Sequence, residues 1–148
     1  MRMAEFEQDG FEERRERGRR PRRSLVRTTG ILQNNLGAAI NVHAEVVNLN
    51  LDDVEIRVQV LNWGTAVTQT NPVSTALDVT QILMGNTRTA FNAAIPAGSH
   101  YEVRLTVEDN EETVLINTYA RTAVGGGILN GLTVLDSQFQ RVEIENCL

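Results

Sequence analysis

The chain predicts an all-β domain, an antiparallel β-sandwich of immunoglobulin-like or jelly-roll type, carrying a disordered N-terminal arm. Three observations lead there. From Ser24 onward, short runs rich in Val, Ile, Leu and Thr alternate apolar and polar residues. Turn residues recur at roughly ten-residue spacing, and no segment keeps a helical period. Residues 1–23 have neither property: they are charged, poor in apolar residues and interrupted by Gly10, Gly18 and Pro21. Such a stretch cannot bury enough surface to offset the entropy of ordering it. The domain boundaries are therefore 1–23 for the arm and 24–148 for the sandwich.

The strands follow in order. Residues 25–32 form a first short run. In 39–49, Ile40, Val42, Ala44 and Val46 alternate with Asn41, His43 and Glu45, and in 54–63, Val54, Ile56, Val58 and Val60 alternate with Glu55, Arg57 and Gln59. With only the Asp52-Asp53 turn between them, these two runs read as an antiparallel hairpin with one wet face. Asn71-Pro72 marks a loop before a strand at 76–83. Met84-Gly85-Asn86 turns the chain into 87–95, where Thr87, Thr89, Phe91, Ala93 and Ile95 keep step, and Pro96-Ala97-Gly98 closes that run. The clearest strand is 100–107, with Tyr101, Val103, Leu105 and Val107 on one face and His100, Glu102, Arg104 and Thr106 on the other. After an acidic loop at 108–112 comes a strand at 113–124, broken by Gly125-Gly126-Gly127. Asn130-Gly131 reads as a tight turn, and 132–135 and 140–145 complete the series.

Charge divides the chain. Its formal net charge is −5, yet residues 1–27 carry nine arginines against six acids, while 28–148 carry five arginines against thirteen. The arm holds Glu5, Glu7, Asp9, Glu12 and Glu13 at its tip, then Arg14, Arg15, Arg17, Arg19, Arg20, Arg22 and Arg23, with Phe6 and Phe11 as its isolated aromatic residues. All basic residues apart from two histidines are arginines, whose planar fork suits paired carboxylates. The acidic body repels phosphate, so nucleic acid has only the arm to bind. The acids beside the arginines compete for the same guanidinium groups and weigh against that use.

No constellation for catalysis emerges. His43 and His100 each stand at the wet phase of a strand without further ligands at zinc spacing. Ser99 and His100 are neighbours on a strand and point to opposite faces, which excludes a simple nucleophile–base pair. The paired acids Asp52-Asp53, Glu108-Asp109 and Glu111-Glu112 lie in turns, with spacing that matches no calcium loop. The triple glycine precedes no helix and so lacks the setting of a phosphate loop. Trp63 ends a strand and reads as a core or core-edge residue. Catalytic residues, metals and cofactors are thus expected to be none. The single cysteine, Cys147, has no partner within the chain and can form only an intersubunit disulfide; its acidic neighbours Glu143 and Glu145 do not activate the thiol, so noncovalent assembly is expected. No apolar run has the character of a signal peptide or the length of a membrane span, which predicts synthesis in the cytoplasm and no membrane insertion.

The stretches IRVQVLNWGTA (56–66), AGSHYEVRLTV (97–107) and LINTYAR (115–121), followed by 133–143, resemble small β-sandwich proteins of spore-forming Firmicutes, of spore-surface or endospore-appendage type. The likeness covers about 40–144 and none of the arm. It implies a structural protein at the spore or cell surface, joined through an N-terminal connector and intersubunit disulfides. One cysteine, at the C-terminal end, departs from that pattern. Together these readings predict a non-enzymatic structural subunit, a homo-oligomer or filament assembled through its arm. The alternative is a jelly-roll coat protein packaging nucleic acid with its arginines. A saccharide- or protein-binding module ranks third, because no aromatic platform is recognisable.

Overall fold

A computed structural model describes residues 22–108 and 111–146. The chain forms ten strands: β1 (Arg22–Thr28), β2 (Leu32–Gln33), β3 (Ile40–Asn48), β4 (Val54–Gly64), β5 (Ser74–Leu83), β6 (Thr87–Ile95), β7 (His100–Val107), β8 (Val114–Thr122), β9 (Ile128–Val134) and β10 (Gln140–Asn146). Its only helical pieces among the described residues are single 3-10 turns at Glu111–Thr113 and Asp136–Gln138. Two units are distinguished. The sandwich proper is Leu25–Val142, and the other contains Met1–Ser24 with Glu143–Leu148, of which only the outer ends of β1 and β10 are described.

One sheet runs β10-β1-β7-β4-β5 with β2 also on β7, and the second runs β6-β3-β8-β9. The described pairings are antiparallel, and the predicted β-sandwich is what the chain adopts. The core forms between the sheets from the alternating residues of four strands above all: Ile40, Val42, Ala44 and Val46 of β3, Val54, Ile56, Val58 and Val60 of β4, Tyr101, Val103, Leu105 and Val107 of β7, and Val114, Ile116 and Ala120 of β8. Burying a side chain of this size stabilises by about 1.5–3 kcal/mol relative to leaving it exposed.

The expected hairpin of β3 with β4 does not form. β3 pairs with β6 and β8, whereas β4 pairs with β5 and β7, in the other sheet. Residues 49–53 therefore arch between layers. Asn48 explains why the arch holds. It is fully buried, its amide donates to the carbonyls of Asp52 (2.8 Å), Leu83 (3.1 Å) and Met84 (3.3 Å), and its side-chain oxygen accepts from the Asn50 amide (2.9 Å). One side chain thus ties the β3–β4 arch to the β5–β6 turn. The same contact makes Gly85 obligatory, since a Cβ there would lie 2.1 Å from the Leu51 carbonyl oxygen.

Three further expectations are corrected. The first run is broken at 29–31, where Gly30 takes φ +69°, so that β1 and β2 pair separately with β7. β1 also starts at Arg22, placing the last two arginines of the expected arm inside a strand. Asn130-Gly131 does not reverse the chain but lies within β9. There the register passes from Ala120↔Leu129 to Thr118↔Val134, leaving surplus residues on β9 that bulge from the ladder, a role glycine fills as readily as a turn.

The ends opposite the β3–β4 arch are held by a second buried asparagine. Asn34 donates to Ala38 and Pro96 carbonyls at 3.0 and 3.2 Å and accepts from the Leu36 amide at 3.0 Å. Against these satisfied groups stands the Tyr101 hydroxyl, the one buried side-chain polar atom without a partner among the described residues. A buried, unsatisfied hydroxyl costs free energy, whereas removing a satisfied hub exposes every group it served. Tyr101→Phe is therefore expected to lose no stability and to gain up to about 1 kcal/mol, and Asn48→Ala to lose about 2–3 kcal/mol. Urea unfolding of the three proteins checks this; a clear loss in Tyr101→Phe would mean that the hydroxyl is satisfied.

Candidate functional site

The chemistry-bearing residues on the outer face of the larger sheet centre on Glu102. On β7 it follows the polar phase that the sequence predicts, opposite Leu61 of β4, yet it is only 5% exposed. Four bonds make that burial tolerable. Arg104 donates through Nε (2.7 Å to Oε2) and Nη2 (3.1 Å to Oε1), Thr28 Oγ1 donates to Oε2 at 2.5 Å, and the indole Nε1–H of Trp63 donates to Oε1 at 2.9 Å. Burial works against the charged form, but the hydrogen bonds from Arg104, Thr28 and Trp63 outweigh it and hold the Glu102 carboxyl below the usual range.

Trp63 is thus not a core residue. The β4–β7 register passes from Asn62↔Tyr101 directly to Gly64↔His100, so Trp63 is the extra residue of a bulge. The bulge sets the half-buried indole on the outer face, against Glu102. It also fixes His100. The Gly64 carbonyl, which can only accept, lies 3.0 Å from His100 Nδ1, so Nδ1 carries the hydrogen. Trp63 and His100 line a depression of about 480 Å³ together with Ile31 and residues Thr65, Ala66, Val67 and Gln69 of the β4–β5 connection.

A second cluster occupies the outer face of the smaller sheet. His43 sits between Asn92 (Nδ1 to Oδ1, 2.8 Å) and Glu45 (Nε2 to Oε1, 3.1 Å), its ring 4.8 Å from that of Tyr119. Arg88 reaches Glu45 at 3.2 Å, and Arg121 stacks on Tyr119 with its guanidinium 5.1 Å from the ring centre. The hydrogen bond from His43 chiefly holds the Glu45 carboxyl below its ordinary value. Among the described residues no three of His, Cys, Asp and Glu converge as metal ligands. No helix among them is long and apolar enough to cross a membrane.

Of the arm, Arg22 and Arg23 are the first residues of β1; Phe6, Phe11, Arg14, Arg15, Arg17, Arg19 and Arg20 lie outside the described residues, as does Cys147. Arg27, counted with the basic segment on sequence, belongs to the interior at 3% exposed. Sequence reasoning missed Glu102 and Trp63 as a pair, since Glu102 reads as a wet-face residue, Trp63 as core or core edge, and nothing in the sequence marks the bulge. No protein-family model matches the chain, and no curated protein matches it either.

Glu102→Gln keeps the shape but leaves Arg104 without its carboxylate, and is expected to lose about 2 kcal/mol at neutral pH. A depressed folded-state pKa contributes stability above the unfolded value, about 4.3 for Glu, and loses it as pH falls through the folded one. The gap between the two proteins should therefore be full at pH 7 and shrink below about pH 4. Denaturant unfolding across that range reads it; a gap independent of pH would show that Glu102 acts through shape alone.

Proposed function

We infer that the chain is a non-enzymatic structural subunit that self-assembles through its N-terminal arm. One observation carries this reading: the arm and one end of the sandwich are complementary in both charge and apolar character. At the end where β4 begins and β7 finishes, Asp52, Glu55, Glu108 and Glu112 are exposed. Leu51 and Met84, 84% and 60% exposed, stand on the arch and turn beside them. The arm offers arginines and two phenylalanines. Three of the body's arginines are engaged with other carboxylates: Arg57 is held by Asp78, Arg88 by Glu45 and Arg104 by Glu102. Docking of the arm on this end of another copy pairs guanidinium with carboxylate and buries Phe6 or Phe11 against Leu51 and Met84, with charge setting rate and orientation.

The β5 edge supports association as well. Its ten residues carry one charge, Asp78, already paired with Arg57, and none of the lysines or prolines that blunt exposed edges. The resemblance to spore-surface and appendage proteins supports a place for such a subunit at a spore or cell surface.

Because β1 starts at Arg22, the informative truncation removes residues 1–21 and keeps the strand. Light scattering is expected to find large particles for the full chain and a β-rich monomer for the truncated one, with the particles loosening as salt rises. Particles of unchanged size from the truncated protein would defeat the reading. Nucleic acid that co-purifies with the full chain, with a log–log salt slope of about −5 to −6 for seven arginine–phosphate contacts, would put the coat-protein alternative in its place.

A further inference from the structure

We propose that the depression beside Trp63 binds a neutral saccharide, with one face of a pyranose ring stacked on the indole. The site is built rather than incidental. A bulge takes Trp63 out of the β4–β7 ladder, and a carboxylate that is 5% exposed anchors its Nε1–H at 2.9 Å. That carboxylate is itself held by Thr28 and Arg104. The indole nitrogen is thereby committed and the ring fixed, so that what Trp63 has left to offer is its π-face. Placing a ring before the ligand arrives removes the cost of ordering it on binding.

The remaining lining selects the ligand's chemistry. Ile31 and Val67 are exposed apolar residues at 54% and 106%. His100, Thr65 and Gln69 are polar and carry hydrogen-bonding groups, with His100 Nε2 left without a partner among the described residues once Nδ1 is given to Gly64. No Arg, Asp or Glu lines the depression. An anionic ligand finds no cation there, and a cationic one finds no free carboxylate, because Glu102 is already saturated. A flat hydrocarbon would cover the indole and strand the polar groups, at a cost. A pyranose satisfies both parts, presenting a C–H face to the indole and hydroxyls to His100, Thr65 and Gln69. The volume, about 480 Å³, falls within the ~300–1,000 Å³ typical of small-ligand sites. The N-terminal arm of another copy fits less well, since its tip and block bring charges of both signs that this lining does not pair.

Trp63 is the only tryptophan of the chain, so indole emission, excited selectively over the two tyrosines at the red edge of absorption, reports on this site alone. The full-length protein is titrated with methyl glucosides, galactosides and mannosides, N-acetylglucosamine and their disaccharides. At least one is expected to change the emission saturably. Gln69→Ala, in an exposed connection, and His100→Ala are expected to weaken that ligand about tenfold each, the loss of one good hydrogen bond. Absence of any saccharide response overturns the proposal, and so does a response that both variants leave unchanged. A synthetic peptide of residues 1–21 is titrated in parallel; a response to it without one to saccharides assigns the depression to the arm and likewise overturns the proposal.

Discussion

The sandwich depends on a guanidinium placed where a core side chain belongs. Arg27 lies opposite Leu105 in the β1–β7 ladder, at the inward phase, and its Nη1 crosses to the other sheet to reach the Val114 carbonyl at 2.6 Å and Asp136 Oδ1 at 2.8 Å. Asp136 also accepts the Ile116 amide at 2.9 Å, while its own amide donates to Asn117 Oδ1 at 3.0 Å. One ion pair therefore joins β1, β8 and the connection between β9 and β10. Desolvating such a charge costs several kcal/mol, and breaking the pair by removing one partner typically costs about 3–5 kcal/mol. The clasp adds a link across the layers to a strand whose described ladder with β7 spans only residues 26–28.

The same solution recurs at the two ends of the layers. Asn48 and Asn34, both fully buried, collect the carbonyls of loops that belong to different sheets. Chain reversals within a sheet are few, at β4–β5 and β8–β9; the rest pass between layers and leave loop backbone close to the core. Backbone groups there need partners, and a primary amide supplies donors and an acceptor from one position. Glu102 does on the outer face what these amides do at the ends. It collects three side chains that would otherwise be loose and makes a rigid surface of them.

How much of this the sequence discloses follows from what period-two alternation can encode. It gives strand positions and faces well: β7 and the inward residues of β3, β4 and β6 are where the pattern puts them. It is silent on which sheet a strand joins, so two strands separated by a five-residue connection look like a hairpin whether they pair or arch. Nothing local distinguishes the Asn48-Leu49-Asn50 of an arch from the start of a turn. The Arg27 clasp was hidden for another reason. A lone arginine just after a block of seven reads as part of the block, and only the partner Asp136, 109 positions away, shows it to be internal. Trp63 reads as core or core edge because a large aromatic at a strand end invites burial, although the alternation of β4 puts position 63 on the outer phase; the bulge itself shows only in the register with β7.

The two regions proposed for assembly and for ligand binding lie at opposite ends of β4, and this separation bears on how they would operate together. β4 begins beside Asp52 and Glu55, where the acids and exposed apolar residues gather, and ends at Gly64, where the bulge presents Trp63. Eleven residues of strand put about 35 Å between them. In the proposed assembly, arm docking at the acidic end would leave the indole face open, so that an array would display the proposed saccharide site once per copy and gain from multivalency what each shallow site lacks alone. An interface built on the Trp63 end instead would cover the ring and leave Leu51 and Met84 exposed on every subunit. The proposed arrangement with arms on acids would conceal Leu51 and Met84 and leave the Trp63 depression open.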